Sequence, residues 1–175
     1  DKYGDKDAII FPEGRYTYRD IATYAQNISK ALLALGVGPG DRVGYFLQEC
    51  IDTIGIIIGA AKIGAITAPI NSRFKTTELK QVIVHAGIKV IFTSSPEVGT
   101  DFNGLINETF PQIATSSSKY LDFPEAPELD ALVTLDEINR PGTFNLTDME
   151  ELGNTISDES VAKSQEGVRV RDTAI

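Results

Sequence analysis

Apolar positions along this chain recur first with a period near two and then with a period near 3.6, the spacings of strands and of amphipathic helices. Ala8–Phe11 and Arg15–Tyr18 are short β-prone runs on either side of Pro12-Glu13-Gly14, which predicts a hairpin. Ile21, Ala25, Ile28, Leu32 and Leu35 then follow at helical spacing, predicting a helix over 18–35. Thr17 stands as its N-cap with Asp20 in the capping-box position, and Gly36 supplies the stop. The tight connection Gly36–Asp41 leads into a strand at Arg42–Leu47. Gln48–Ile63 is apolar nearly all round, as a helix buried on most of its surface is, and ends at Gly64. Ala65–Ile70 reads as a strand, Thr76 or Thr77 as the cap of a third helix running to Gly87, and Lys89–Phe92 as a strand. Residues 36–93 thus alternate strand and helix, the pattern of right-handed crossovers in a parallel sheet. The expected fold class is α/β: a largely parallel sheet with flanking helices, preceded by a β-hairpin.

After Ser94 the periodicity weakens. Phe102–Phe110 predicts a short helix ended by Pro111, and Tyr120–Phe123 and Ala131–Leu135 predict strands. Residues 136–168 are polar, acidic and rich in Gly and Pro, which predicts long surface loops with one helical turn at Met149–Leu152. The expected division is therefore a regular region, 1–95, and a less regular continuation, 96–175.

Composition narrows the function. The chain has 175 residues and a net charge of −9, divided as +2 over residues 1–95 and −11 over 96–175. That balance argues against nucleic acid and anionic membrane as partners. One cysteine, Cys50, and one histidine, His85, provide no disulfide framework and too few ligands for a structural zinc site. A Ser-His-Asp hydrolase would have to use His85, and no G-x-S-x-G elbow accompanies it, so the hydrolase reading is weak. The most apolar stretch, Ile54–Ile70, is shorter than the roughly 20 residues of a bilayer span and contains Pro69. The expected location is cytoplasmic. The chain starts at Asp1 without an initiator Met, so its true amino terminus is not read from it.

Two glycine clusters invite a phosphate-loop reading. Gly36-Val37-Gly38-Pro39-Gly40 follows a helix and lacks dinucleotide spacing, so it reads as a turn. Gly59–Gly64 has a Walker-like interval, but Ala65 and Ile66 stand where Lys and Ser/Thr are needed, so it reads as helix packing. Asn71-Ser72-Arg73-Phe74-Lys75 places two cations, an amide and a hydroxyl at the carboxyl end of a predicted parallel strand, the edge where ligands bind in open α/β sheets. Asn71 and Arg73 are the candidate cofactor-binding residues; the alternative is an exposed loop whose polar groups satisfy local backbone. His85, late in the third helix, reads as a dipole partner or surface residue, and Cys50 as either a low-pKa thiol at a helix start or an inert buried one.

The order of these segments resembles one family. Tyr16-Thr17-Tyr18, then Ala31–Gly44 with its Gly36-Val37-Gly38-Pro39-Gly40-Asp41-Arg42-Val43 core, then Ala61–Arg73 and Thr77-Glu78-Leu79 to Gly87 are similar in type, spacing and order to the opening of the AMP-binding, adenylate-forming enzymes. These include acyl-CoA synthetases, aryl-CoA ligases, luciferases and amino-acid adenylation domains. The resemblance is close over 8–95, faint over 96–167, and returns at Val170–Ile175, which resembles the strand before the family's phosphate loop, Tyr-Thr-Ser-Gly-Thr-Thr-Gly-x-Pro-Lys-Gly. Asn71 after Pro69-Ile70 resembles acyl-CoA synthetases more than amino-acid adenylation domains. The resemblance implies the leading part of a carboxylate–CoA ligase for a fatty or aromatic acid. It also implies ATP, Mg²⁺ and CoA as cofactors of the whole enzyme, with no catalytic residue in this chain, no cofactor bound to it alone and no activity of its own. An oligomer is compatible with this reading. A luciferase-like or amino-acid-activating enzyme, or a binding module without catalysis, are the alternatives.

Overall fold

The computed structural model describes residues 2–12, 14–48, 50–94 and 100–175. Glu13 of the expected turn and the expected division at 95/96 lie outside the described residues.

Strands β1 (Asp7–Phe11) and β2 (Gly14–Thr17) pair antiparallel as the predicted hairpin, and α1 (Tyr18–Ala34) follows at once. Thr17 caps it reciprocally: its hydroxyl accepts from the Asp20 backbone N–H, and the Asp20 carboxylate accepts from the Thr17 N–H at 2.8 Å. Gly36 then turns the chain out of the helix with φ of 75°, where a side chain would be strained.

The main sheet contains β3 (Arg42–Phe46), β4 (Ile66–Pro69), β5 (Ile88–Thr93) and β6 (Ala131–Thr134), all parallel, in the order β4-β3-β5-β6. Successive residues alternate between faces. Val43, Val90, Phe92, Ala131 and Val133 pack under α1 and under α2 (Ile51–Lys62). Ile88, Ile91 and Leu132 pack on the other face against α3 (Thr76–Ala86) and α4 (Phe102–Thr109). With both faces covered, the strands are apolar almost throughout, which is why β5 shows no polar side.

Two contacts fix the frame. Helices α1 and α2 approach closely because α2 carries Gly55 and Gly59: a Cβ on Gly59 would lie 2.8 Å from Ile28 and 2.9 Å from the Ala25 carbonyl oxygen. The buried Ser29 hydroxyl sits 2.8 Å from the carbonyls of both Ala25 and Gly59, joining the two backbones. At the amino edge of the sheet, the Arg42 guanidinium donates to the carbonyls of Ala86 and Gly87, both at 2.8 Å, and of Gly40 at 3.1 Å. It thereby satisfies the carboxyl end of α3, which ends in the left-handed Gly87.

Several expectations are corrected. The second helix starts at Ile51, with Cys50 as N-cap, rather than at Gln48, because Leu47 is drawn into the core directly after β3. The N-cap of α3 is Lys75, not Thr76 or Thr77; its backbone N–H donates to the Glu78 carboxylate at 3.2 Å. Tyr120–Phe123 forms only isolated bridges, Tyr120 with Ala131 and Phe123 with Ala126. Pro111 ends α4 as expected but opens a 3-10 turn, Pro111–Thr115.

The largest correction concerns 136–168. Two helices, α5 (Leu146–Asn154) and α6 (Asp158–Gly167), stand where loops with one helical turn were expected; the turn at Met149–Leu152 falls inside α5. Asn145 and Asp148 form a capping box for α5, and Ser157 caps α6. Met149 and Val161 enter the core, so each helix contributes few apolar residues and is held mainly by tertiary contact. Val170–Ile175, expected as a strand, has no strand assignment, but the backbone N–H and the hydroxyl of Thr67 both donate to the Ala174 carbonyl, at 2.8 and 2.9 Å, along the outer edge of β4.

Candidate functional site

In the sheet order β4-β3-β5-β6, the chain leaves β3 toward β4 on one side and returns past it to β5 on the other. Such a reversal opens a crevice between the two loops that diverge at the carboxyl ends of the strands, where ligands bind in open α/β sheets. The loops after β3, β4 and β5 therefore define the candidate site.

The Asn71–Lys75 loop follows β4 on this edge. The Ile70 N–H donates to the Tyr45 carbonyl at 3.0 Å, holding the end of β4 to β3. The Asn71 side-chain oxygen then accepts from the Arg73 N–H at 3.0 Å, and the Phe74 N–H donates to the Asn71 carbonyl at 2.9 Å. This turn uses the Asn71 oxygen locally, while Phe74 packs against the cluster under α3 and anchors the loop. Ser72 and Arg73 are exposed, and among the described residues no ion-pair partner stands beside Arg73. The two sequence candidates therefore divide in role: Asn71 shapes the turn, and Arg73 presents the charge.

On the same edge of the sheet, Thr93 and Thr134 end β5 and β6, both fully buried. The Thr134 hydroxyl lies 3.5 Å from the Asn103 amide oxygen at the start of α4, whereas the Thr93 hydroxyl has no hydrogen-bond partner among the described residues. Sequence reasoning missed these groups. The available signal was a threonine closing each apolar run, which reads equally well as ordinary strand composition.

Cys50 caps α2 after β3. Its thiol lies 3.4 Å from one Asp52 carboxylate oxygen, and the Tyr24 hydroxyl donates to the other. Burial pushes the thiol pKa up and the Asp52 charge adds to the rise, although backbone hydrogen bonds act in the opposite sense. Burial, followed by the same carboxylate, also raises the Tyr24 phenol. The low-pKa alternative for Cys50 is thus overturned: the neighbouring negative charge and the desolvation outweigh the helix terminus. In the unfolded chain the thiol ionises at its ordinary value of about 8.5, before the folded thiol does, so stability contributed by this site is present below that pH and falls as pH rises through it. Iodoacetamide should therefore modify Cys50 more slowly than a free thiol at pH 8.5, and urea unfolding should abolish the difference. Equal rates in the folded protein would contradict the environment described.

The remaining candidates lie elsewhere. His85 is exposed in the last turn of α3. Gly36–Gly40 forms a turn at the amino edge, where the Gly38 N–H donates to Asp41 at 2.9 Å and the Gly40 N–H donates to the Gly64 carbonyl at 2.8 Å. Gly59 is explained by its approach to α1. Among the described residues no group of three His, Cys, Asp or Glu side chains could hold a metal ion, and no helix is long and apolar enough to cross a membrane.

Comparison with known proteins places this geometry. The sequence pattern of AMP-binding enzymes matches residues 1–165. An acyl-CoA ligase of Aspergillus fumigatus is 32% identical over 100 residues, covering 56% of this chain and 17% of that protein. A long-chain-fatty-acid–CoA ligase of Mycobacterium tuberculosis is 33% identical over 82 residues, covering 47% of this chain and 16% of that one. Among solved structures, the anthranilate CoA ligase AuaEII in complex with anthranoyl-AMP has a TM-score of 0.70 at 20% identity, covering 90% of this chain and 26% of its own. At that identity the likeness is one of fold. The chain spans less than a third of the length of the curated relatives it matches.

Proposed function

This chain belongs to the family of AMP-binding enzymes, and from that premise we propose that it is the leading part of the large domain of a carboxylate–CoA ligase acting on a fatty or aromatic acid in the cytoplasm. In the proposed reaction the acid's carboxylate attacks the α-phosphate of ATP and releases pyrophosphate, and the CoA thiol then displaces AMP to form a thioester. ATP supplies the leaving group that a carboxylate lacks, and Mg²⁺ offsets phosphate charge. The residues of this chain offer no set of carboxylates for Mg²⁺ and no glycine loop for ATP phosphates among those described. They fit one part of the task, a contact between Arg73 and an anionic group of a cofactor. We assign that loop to the regular region 1–95, with 96–175 as its acidic continuation.

The observation that carries this reading is the exposed Arg73, presented by the Asn71 turn beside the switch point of the sheet. The test has two arms. The 175-residue chain alone should show no ATP-dependent pyrophosphate exchange with any fatty or aromatic acid, and exchange above background would overturn its assignment as a non-catalytic part. In a protein that carries this chain within the full length of its relatives, Arg73→Ala should raise KM for CoA or ATP about tenfold, the loss of one charge-assisted contact, with kcat nearly unchanged. Unchanged KM for both would remove Arg73 from the site.

A further inference from the structure

One face of α1 carries the exposed Arg19 and Thr23 and the half-buried Gln26 and Lys30, at spacings of four, three and four. Together with Lys62 from the end of α2 they line a cleft of 590 Å³, in which Asp158 is the sole carboxylate among the lining residues. Arg19 is already paired with Asp5 at 3.1 Å, so the cations left to the cleft are Lys30 and Lys62 against Asp158, a local positive balance in a chain of net charge −9. The cleft also lies apart from the carboxyl edge of the sheet and from the Asn71–Lys75 loop.

The bonds in the cleft show how that charge is met. The Lys30 ammonium lies 2.8 Å from one oxygen of Asp158, and the Gln26 amide nitrogen donates to the same oxygen at 2.9 Å. The other end of the Gln26 amide accepts from Lys62, so the partly buried Lys62 ammonium meets a neutral oxygen, with Asp158 acting on it through space. Burial lowers the Lys62 pKa and Asp158 partly restores it. Asp158 stands in the first turn of α6, a helix whose one buried side chain is Val161. Its side chain is 77% exposed. The Lys30 side chain is 20% exposed, so the carboxylate is the end of the pair open to water, where an external anion can compete with it.

We propose that this cleft is a subsite for a phosphate group and that Asp158 is its built-in competitor. A phosphate brings about −1.5 to −2 charges and three acceptor oxygens where the carboxylate brings one charge and two oxygens. Its binding places oxygens on Lys30, Lys62 and the Gln26 amide nitrogen, releases Asp158, and loosens the first turn of α6 from α1 and α2. Lys30 and Lys62 come from two helices that the Gly59 contact locks together, so the cleft stays in place when α6 moves.

The test titrates the 175-residue chain with inorganic phosphate at constant ionic strength, balanced with sodium chloride, and follows amide chemical shifts together with hydrogen exchange across 158–167. Saturable shifts at Gln26, Lys30 and Lys62 and faster exchange in the first turn of α6 are expected. Asp158→Asn should tighten binding by about two- to fivefold, the worth of a pair open to water at one end. Lys30→Gln combined with Lys62→Gln should weaken it by at least about tenfold. Arg19→Gln, which leaves the Asp158 network intact, should weaken it by a smaller factor, and circular dichroism verifies that each variant is folded. Binding that is unchanged or weaker in Asp158→Asn, indifferent to loss of the lysines, or reproduced by sodium chloride alone would overturn the proposal. Glycerol 3-phosphate separates the two sources of the group: equal affinity assigns the cleft to a terminal monoester, and loss of affinity assigns it to the free ion.

Discussion

Gly59→Val should destabilise the fold by more than about 3 kcal/mol, a large share of the roughly 5–15 kcal/mol that holds a domain together. The first added carbon would already lie 2.9 Å from the Ala25 carbonyl oxygen, which belongs to helical backbone and has no rotamer to escape into. It would also lie 2.8 Å from Ile28, a buried residue of the same interface. Relief requires separating α1 from α2, which breaks the link from the Ser29 hydroxyl to the Gly59 carbonyl and opens the core over β3 and β5. Gly59→Ala is the milder case: removing a helical glycine gains about 1 kcal/mol of propensity, against an overpacking cost of about 1–3 kcal/mol. Gly38→Ala is the control. Nothing lies within 4 Å of a Cβ there and the backbone is not left-handed, so stability should stay level or rise by about 0.4–1 kcal/mol. Urea unfolding midpoints read all three. A Gly59→Val protein as stable as Gly38→Ala would refute the close helix contact.

Arg42→Met should lower stability by about 3 kcal/mol or more, although the change keeps most of the aliphatic stem. The guanidinium satisfies carbonyls of Ala86, Gly87 and Gly40, so its loss leaves the end of α3 and the turn before β3 unpaired at once. Hydrogen bonds from a charged donor are worth about 1.5–3 kcal/mol each, and those here share one side chain, so their losses do not simply add. Arg42→Lys should restore only a minor part, because a single ammonium cannot span carbonyls that a planar fork reaches together. Amide exchange at Gly87 and across the last turn of α3 should accelerate in both variants. Protection retained there would show that Arg42 is not the group holding that end of α3.

The contact made by Arg42 also marks how far reasoning from sequence reaches. The helix α1, its Thr17–Asp20 cap and its Gly36 stop were legible because all three signals lie within twenty residues of one another. The alternation through β5 was legible because every strand is bracketed by glycine or by a capping position. The start of α2 was misplaced by three residues because no side chain marks its N-cap: Cys50 holds that position without a side-chain capping bond. For α5 and α6 the caps at Asn145 and Ser157 were present, but each helix buries little: Met149 and Gly153 in one, Val161 in the other. Such helices have no apolar stripe to detect, because α1 supplies most of the surface they share.

At the candidate site the Asn71–Lys75 loop was visible as an unusual cluster after a strand, and its position at the carboxyl edge followed from the parallel alternation. The Tyr24–Asp52 contact and the cleft around Asp158 were not visible, since each joins residues separated by at least one whole element.

By itself, the sequence determined the order of elements through β5, the parallel character of the sheet and the family, because these depend on periodicity, caps and ordered motifs written within short stretches of chain. Tertiary structure alone decided which glycines are contacts, which charges meet and where the acidic final third folds into helices. Those outcomes depend on distances between segments far apart in the chain, and no local pattern carries a distance of that kind.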